Sequence, residues 1–556
     1  MSALSELLAK AKARREAAAA PSTPSTVHTA ATSAHQPAAT VGIHGEAITY
    51  NEEQSSFISL ATSSKSCILV GAAGTGKTTC TRGAITSLIQ TGRIKQLPGS
   101  HKHLAEGSPG IVLCSYTRRA VGNLRKAMSA DLKGNCITIH KLLEYQPVFY
   151  SVMDEVSGEE KQTMRFEATR NRYNPLPAAI STVVIDESSM VSTELFAEII
   201  EALPDPSRVQ FIFIGDIQQL PPVFGSAILG YKMQELPTVE LTQVYRQALE
   251  SPIIRLAHRI LSGKQLPESE FSSWNYPDQL KIHPWKKRIS ADNALATLAA
   301  FFKNAYTSKV YDPEEDMILI PFNKAAGTIE LNKHIATHIS HSLQKEVHEV
   351  IAGFNKHYFS IGDKVLYERE DAVVVDISYN GLYAGAKPQA SSPTLDYWGY
   401  DSSQHKEHHL KAENISEEEI DNMLAGMAAS VSDGEDRVRQ ASHTLTLRIE
   451  ETDTEVKVDT AAGINNLLLN YALTIHKSQG SEWRKVFLCL HQSHNTMVQS
   501  ELLYTAVTRA RQELYIICEP NHFEIGITRK RIPGITLADK IAHFKGKYAD
   551  AQTQIQ

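Results

Sequence analysis

Gly71-Ala72-Ala73-Gly74-Thr75-Gly76-Lys77-Thr78 satisfies G-x-x-x-x-G-K-[ST] at every fixed position, and Thr79 continues into a helical pattern ending at Gln90. Glycines let such a loop bend until successive N–H groups point at phosphate oxygens, at the positive end of the following helix. Lys77 would reach the β- and γ-phosphates, and the Thr78 hydroxyl would help hold Mg²⁺. The pattern implies a bound nucleoside triphosphate, but the same loop serves many unrelated activities.

Two strand-end motifs supply further parts of a phosphate-transfer apparatus. Val183-Val184-Ile185-Asp186-Glu187 is an apolar strand closed by two carboxylates. Asp186 suits Mg²⁺ binding through water, and Glu187 suits polarising the water that attacks a phosphoryl group. Phe211-Ile212-Phe213-Ile214-Gly215-Asp216-Ile217-Gln218-Gln219-Leu220-Pro221-Pro222 is a strand and a Pro-stiffened turn. That turn would bring the Gln219 amide near the terminal phosphate.

Such residues need a sheet to hold them. Between 46 and 245, buried-strand patterns at Cys67–Val70, Ile111–Cys114, Thr182–Ile185 and Val209–Ile214 alternate with helical ones. This is the rhythm of a parallel sheet covered on both faces. A second α/β block is expected over 246–340 and 466–530, with strands at Met317–Ile320, Val486–Leu490 and Glu513–Ile517. Between its halves, 341–465 reads as an inserted β domain, with short β pieces at Phe359–Tyr367 and Thr444–Asp459 and a polar, mobile excursion over 384–439. His405, His408 and His409 in that excursion read as a solvated loop before they read as a metal site. A smaller insertion over about 134–177 holds Val148–Met153 and Thr163–Ala168, which can pair as a hairpin across Ser157-Gly158.

The ends differ from the middle. Residues 1–45 read as an Ala/Pro/Ser/Thr-rich tail with a short basic helix at Ser5–Ala20, and 531–556 reads as a C-terminal helix or tail. The N-terminal helix reads as part of a solvated, mobile tail, or as a dock for a partner such as a replication or single-strand-binding protein or for an organelle import receptor.

Composition bounds the partners. Of the 556 residues, 21% are charged and the formal net charge is −6, so nucleic acid contact must be confined to a cleft. No apolar run approaches a membrane span. The six cysteines lie far apart with no C-x-x-C pair, which reads as reduced thiols rather than a zinc or iron–sulfur site.

In order along the chain, these motifs resemble superfamily 1 helicases, most closely the RecD/Dda branch (superfamily 1B). The resemblance rests on the phosphate loop, Asp186-Glu187-Ser188-Ser189 and Gly215-Asp216-Ile217-Gln218-Gln219-Leu220-Pro221-Pro222-Val223. It continues through Leu241-Thr242-Gln243-Val244-Tyr245-Arg246-Gln247, Leu473-Thr474-Ile475-His476-Lys477-Ser478-Gln479-Gly480 and Tyr504-Thr505-Ala506-Val507-Thr508-Arg509-Ala510. It implies two RecA-like P-loop NTPase domains, with a β-hairpin pin insertion and an SH3-like β-domain insertion. Gln54, in Asn51-Glu52-Glu53-Gln54, resembles the glutamine that reads adenine, which implies ATP. Guanine recognition would want N-K-x-D, and Asn323-Lys324-Ala325-Ala326 lacks the Asp. Arg246 and Arg509 resemble arginines presented to the γ-phosphate when two such domains close.

Thr117 in Ser115-Tyr116-Thr117-Arg118-Arg119-Ala120, His140 in Thr138-Ile139-His140-Lys141, and Thr474 and His476 resemble residues that grip single-stranded DNA. Hydroxyl and imidazole groups hold phosphates without reading sequence. The hairpin stands where this branch carries its strand-separating pin, although its expected turn is acidic and has no aromatic wedge. The basic aromatic cluster Trp285-Lys286-Lys287-Arg288 is a further DNA candidate or a solvated patch.

The resulting expectation is an ATP- and Mg²⁺-dependent DNA helicase acting on single-stranded DNA and forked duplex, moving 5′-to-3′, in replication, recombination or repair. It would be intracellular: cytoplasmic in a prokaryotic or phage-infected cell, otherwise nuclear or organellar. Two other readings stay open. One is an RNA helicase or RNP remodeller, since these contacts do not sense the 2′-OH. The other is an ATP-switched nucleic-acid-binding module that does not unwind.

Overall fold

The computed structural model describes residues 49–98, 103–153, 160–222, 225–244, 250–265, 275–276, 278–284, 290–324, 326–353, 355–367, 370–381, 440–450, 453–534 and 536–555. The tail 1–45, Arg246, the cluster 285–288, the hairpin turn 154–159 and the excursion 384–439 lie outside the described residues.

The first part of the chain gives β1 (Cys67–Gly71), β2 (Ile111–Ser115), β3 (Cys136–Thr138), the hairpin strands β4 (Tyr145–Met153) and β5 (Glu160–Ala168), then β6 (Thr182–Asp186), β7 (Gln210–Gly215) and β8 (Thr238–Leu241). Six of these form one parallel sheet in the order β3-β2-β6-β7-β1-β8. Its central strands β1, β2, β6 and β7 are mostly apolar and buried because both faces are covered, and their two-residue period sorts side chains between two cores. Ile68, Val70, Val112, Val183, Phe211 and Phe213 pack on one side. Cys67, Leu69, Ile111, Val184, Ile212 and Ile214 pack on the other.

The sheet order decides where chemistry can gather. Because β1 lies beside β7 and β7 beside β6, the ends of all three strands open onto one edge. The phosphate loop, Asp186-Glu187 and the Gly215-Asp216 turn leave from those ends, the usual ligand edge of an open α/β sheet.

A second parallel sheet follows the same logic. It runs β18 (Ala472–Thr474), β10 (Asp316–Ile320), β19 (Trp483–Leu490), β20 (Ala510–Cys518) and β9 (Leu280–Pro284) across its width. Met317, Leu319, Val486, Leu488, Leu514 and Ile516 point into one core. Ile318, Ile320, Phe487, Cys489, Tyr515 and Ile517 point into the other.

Between β10 and β18 the chain makes β11 (His348–Ala352), β12 (Asn355–Phe359), β13 (Lys364–Tyr367), β14 (Glu370–Tyr379), β15 (Gln440–Ile449), β16 (Thr454–Thr460) and β17 (Leu468–Leu469). The last five form an antiparallel sheet, β16-β15-β14-β13-β17, over a small core including Val350, Val365, Val374, Leu445 and Leu447. It is pinned to the second parallel sheet. The Tyr471 hydroxyl donates to Asp363 Oδ1 at 2.9 Å, and Asn332 Oδ1 accepts from the Tyr471 and Ala472 amides at 2.9 and 2.7 Å.

The structure redraws the hairpin region. The insertion read from about 134 begins later, because β3 pairs in parallel with β2 and a short helix, Ile139–Leu142, packs beneath the sheet. The hairpin itself is longer than expected, paired from Tyr145↔Ala168 to Met153↔Glu160. At the other end, the helix Leu537–Ile555 returns to the first sheet, with Ile532, Leu537, Ile541 and Phe544 against its core. The approach to that helix is tied to the second sheet's helices, since Arg531 and Ile532 amides donate to Glu501 Oε1 at 2.9 and 3.1 Å. Among the described residues, no helix is long and apolar enough to cross a membrane.

Candidate nucleotide site and nucleic-acid interface

β1 ends at Gly71, and the loop turns through Gly74 and Gly76 at φ +80° and +84°, a region that glycine enters without strain. The Thr75 hydroxyl ties the bend by donating to Ala72 O at 2.9 Å. The helix Lys77–Gln90 starts at the lysine, so Thr78 and Thr79 occupy its first turn and Thr78 is exposed. Lys77 Nζ folds back to the carbonyls of Gly71 and Ala72 at 2.8 and 3.2 Å. A cation held only by its own loop's neutral carbonyls is well suited to an anionic ligand.

Asp186 closes β6, and Glu187 follows it in the left-handed conformation at φ 50°, ψ 42°. That unusual backbone turns the second carboxylate off the strand. Burial raises the pKa of both acids. Glu187 raises Asp186 further, while Arg509 and Lys77 pull Glu187 down. Glu187 Oε2 is buried with no hydrogen bond. An unmatched buried carboxylate oxygen beside Asp186, with the exposed Thr78 hydroxyl on the loop, is a donor set that fits Mg²⁺ on a triphosphate.

The turn after β7 presents Gln219, which is 5% exposed and whose Oε1 has no hydrogen-bond partner. Its neighbours join the two sheets. Leu220 N–H donates to Thr505 Oγ1 at 3.1 Å, and Gln479 Nε2 donates to Leu220 O at 2.7 Å.

Arg509 follows the helix Ser500–Val507 and is 4% exposed. Its guanidinium donates to Thr505 O at 2.9 Å, Ser481 O at 3.2 Å and Thr508 Oγ1 at 3.0 Å. All three acceptors are neutral and belong to the second sheet's segments, so its positive charge is not neutralised there and acts on Glu187 of the first sheet. Arg246, the other expected arginine, is outside the described residues.

Gln54 sits differently from an open base reader. It is fully buried, and it caps the helix Glu52–Thr62 reciprocally with Asn51, at 2.8 Å (Gln54 N to Asn51 Oδ1) and 3.2 Å (Asn51 N to Gln54 Oε1). The adjacent Glu53 carboxylate accepts from Thr242 N–H and Oγ1 at 2.9 and 2.5 Å. That bond ties the start of the first sheet to the segment leading toward Arg246.

The four expected nucleic-acid residues fall in two places. Thr117 caps the helix Arg118–Ala127, accepting from Ala120 N–H at 3.2 Å, and faces Gly480 of the second sheet's motif. Asn123 Nδ2 bridges the same gap to Gly480 O at 3.3 Å. Thr474 ends β18 and is buried, and His476 lies in the single turn beyond it, its pKa lowered by burial and by Arg531. His140 has its ring edge-on between Tyr116, the neighbour of Thr117, and Tyr145 at centroid distances of 5.3 and 4.9 Å.

Several residues at this seam had no assigned role in the sequence reading. Arg118 pairs with Glu370 and Arg119 with Asp371, so the Thr117 helix is bolted to the antiparallel sheet. The Arg119 guanidinium also lies 4.8 Å from the Trp483 ring centroid. Lys540 of the C-terminal helix is 2% exposed, its pKa lowered by burial and drawn upward by Glu240 and Asp216. Tyr504 touches both the phosphate loop and the Asp216 turn. Proximity to Arg509 within one motif was the only sequence signal for Tyr504; Lys540 had none.

Residues 54–225 match the model for an AAA domain, and 469–517 the model for a UvrD-like helicase C-terminal domain. The ATP-dependent RecD2 DNA helicase of Deinococcus radiodurans is 26% identical over 483 residues, covering 86% of this chain and 51% of that protein. The chain therefore spans about half the length of that relative. The ATP-dependent DNA helicase dda of Enterobacteria phage T4 is 23% identical over 467 residues, 80% of this chain and 93% of the phage protein. A crystal structure of Pif1 helicase from Bacteroides, in complex with ADP-AlF3 and ssDNA, aligns over 90% of this chain and 98% of that one, with 16% identity and a TM-score of 0.44. With one family model on each parallel sheet and the motifs in order, the chain is similar to the RecD/Dda-like superfamily 1 helicases.

Proposed function

We propose that this protein is an ATP-dependent DNA helicase that moves along single-stranded DNA, 5′-to-3′, and opens forked duplex. The observation that carries the reading is Arg509: a buried guanidinium mounted on one sheet, with its charge acting on Glu187 of the other. An arginine supplied across a cleft works only while the cleft is shut, which couples hydrolysis to relative motion of the two halves.

In this reading 46–245 is one RecA-like domain, and 246–340 with 466–530 is the other. Gly71–Thr79 cradles the phosphates, Gln54 lies at the base end, and Thr78 and Asp186 hold Mg²⁺, partly through water. The metal would supply charge neutralisation at the phosphates. Glu187 takes the proton of the attacking water, Gln219 reports the terminal phosphate, and Arg509, joined by Arg246, neutralises the developing charge. Thr117 and His140 on one side and Thr474 and His476 on the other grip the strand in alternation.

The paired hairpin β4–β5 serves as a strand-separating pin, and 341–465 is an SH3-like domain. Mounting through Arg118, Arg119 and Asp363 supports a bracing role for that domain. Six free buried cysteines suit a reducing, intracellular compartment.

The test is ATP turnover alone, with single-stranded DNA, and with RNA of the same sequence. Stimulation by DNA well above that by RNA is expected. Stimulation by RNA alone would favour the remodeller reading, and turnover indifferent to both would remove the motor.

A further inference from the structure

We propose that Tyr504 is a positioning residue whose hydroxyl holds the phosphate loop in place of a nucleotide and gives up the Ala73 amide when a phosphate enters. This rests on the nucleotide site proposed above and adds to it the means by which occupancy is passed to the second sheet.

Tyr504 is fully buried in the helix Ser500–Val507, 431 residues from the loop that it touches. Its oxygen makes two short bonds, 2.6 Å to Asp216 Oδ2 and 2.7 Å to Ala73 N. Burial and the Asp216 carboxylate both push the phenol's pKa well above its ordinary value, so the hydroxyl keeps its proton. With one proton to give, it donates to Asp216 and accepts from the Ala73 N–H. Oxygen accepting from a loop amide is the role that a phosphate oxygen plays in such a loop.

The consequence follows from which bonds can survive. A phosphate that takes the Ala73 amide removes one of the two Tyr504 bonds and leaves the other. The helix leading to Arg509 then stays attached to the first sheet through Asp216, whose Oδ1 also accepts the Gln218 amide at 3.0 Å. Gln219 and Leu220 follow directly, and Leu220 is bonded to Thr505 beside Tyr504. Loop occupancy is thus transmitted to the turn carrying Gln219 and to the helix leading to Arg509 by exchange at one oxygen.

Tyr504→Phe keeps the ring and removes the competitor. Magnesium with a fluorescent ATP analogue, titrated without DNA, should bind roughly 5-fold more tightly, the worth of one ordinary hydrogen bond. Backbone hydrogen exchange in the Gly71–Thr78 segment should speed up without nucleotide and return to the wild-type rate with it. Asp216→Asn, which weakens the anchor without emptying it, should shift affinity in the same direction by about 2-fold. Weaker or unchanged binding with unaltered loop exchange, accompanied only by a lower melting temperature, would make Tyr504 a packing residue and overturn the proposal. Wild-type protein that fails to bind the analogue at all would instead refute the nucleotide site itself.

Discussion

Replacing Arg509 by alanine separates the two things this side chain does. In the structure three of its five N–H donors serve Thr505 O, Ser481 O and Thr508 Oγ1, all neutral, while its charge lowers the Glu187 pKa across the seam. Loss of these bonds leaves two backbone carbonyls short of a donor, which should cost about 2–4 kcal/mol of stability. In the proposed mechanism, loss of the charge acts on the transition state. An arginine brought to a transferring phosphoryl group contributes roughly 10³–10⁵ in kcat, equivalent to about 4–7 kcal/mol.

The assay is single-turnover ATP hydrolysis with saturating single-stranded DNA, run beside nucleotide binding and thermal denaturation. Arg509→Ala should bind nucleotide within a few-fold of wild type while hydrolysing at least about a thousand-fold more slowly. Arg509→Lys keeps a charge but cannot span three acceptors with a single ammonium, and should recover little of the rate. An alanine variant that remains folded and hydrolyses ATP within tenfold of wild type would refute the argument and leave Arg509 a structural brace.

Other perturbations test neighbouring steps. Glu187→Gln preserves shape and should retain ATP binding while losing at least about a hundred-fold in hydrolysis, and near-normal turnover would remove Glu187 as the base. Gly480 has φ +74°, and a Cβ there would lie 2.6 Å from Thr117 Oγ1 and 2.9 Å from Ala120 Cβ. Gly480→Ala should therefore lower stability by roughly 1–3 kcal/mol in urea unfolding and reduce DNA stimulation; no change in either would mean that this seam is not closed in solution. Asp363 is buried, and burial raises its carboxyl to about 6 despite the Ser360 amide and Tyr471 hydroxyl that favour its charged form. A raised acid is a cost once ionised, so between pH 4 and 7 the stability of Asp363→Asn relative to wild type should rise by up to about 3 kcal/mol, and a pH-independent difference would contradict it.

What the sequence revealed and what it hid follow from range. Central strands were legible because burial on both faces demands an unbroken apolar run, as in Ile111–Ser115 or Gln210–Gly215. Edge strands escaped notice. β9 carries Lys281 and His283 among its apolar residues, and β3 has only three residues, so it was absorbed into the hairpin insertion. Local chemistry was equally legible: the loop and the Asp186-Glu187 pair each lie in one short segment. Bonds joining distant segments were not. Glu53 to Thr242, Arg119 to Asp371 and Ala73 to Tyr504 have no spacing signature, because only the folded topology brings their elements together. Gln54 shows the converse: its capping box with Asn51 is local, but a family role drew attention to its amide first.

The most direct test of a motor that closes on ATP and steps along one strand is displacement of a short oligonucleotide from duplexes with a 5′ or a 3′ single-stranded tail. ATP and Mg²⁺ should drive displacement from the 5′-tailed substrate and leave the 3′-tailed one largely intact. ATP-driven displacement only from the 3′-tailed substrate would reverse the direction of stepping. Absence of displacement from both, in protein that hydrolyses ATP, would contradict the helicase itself.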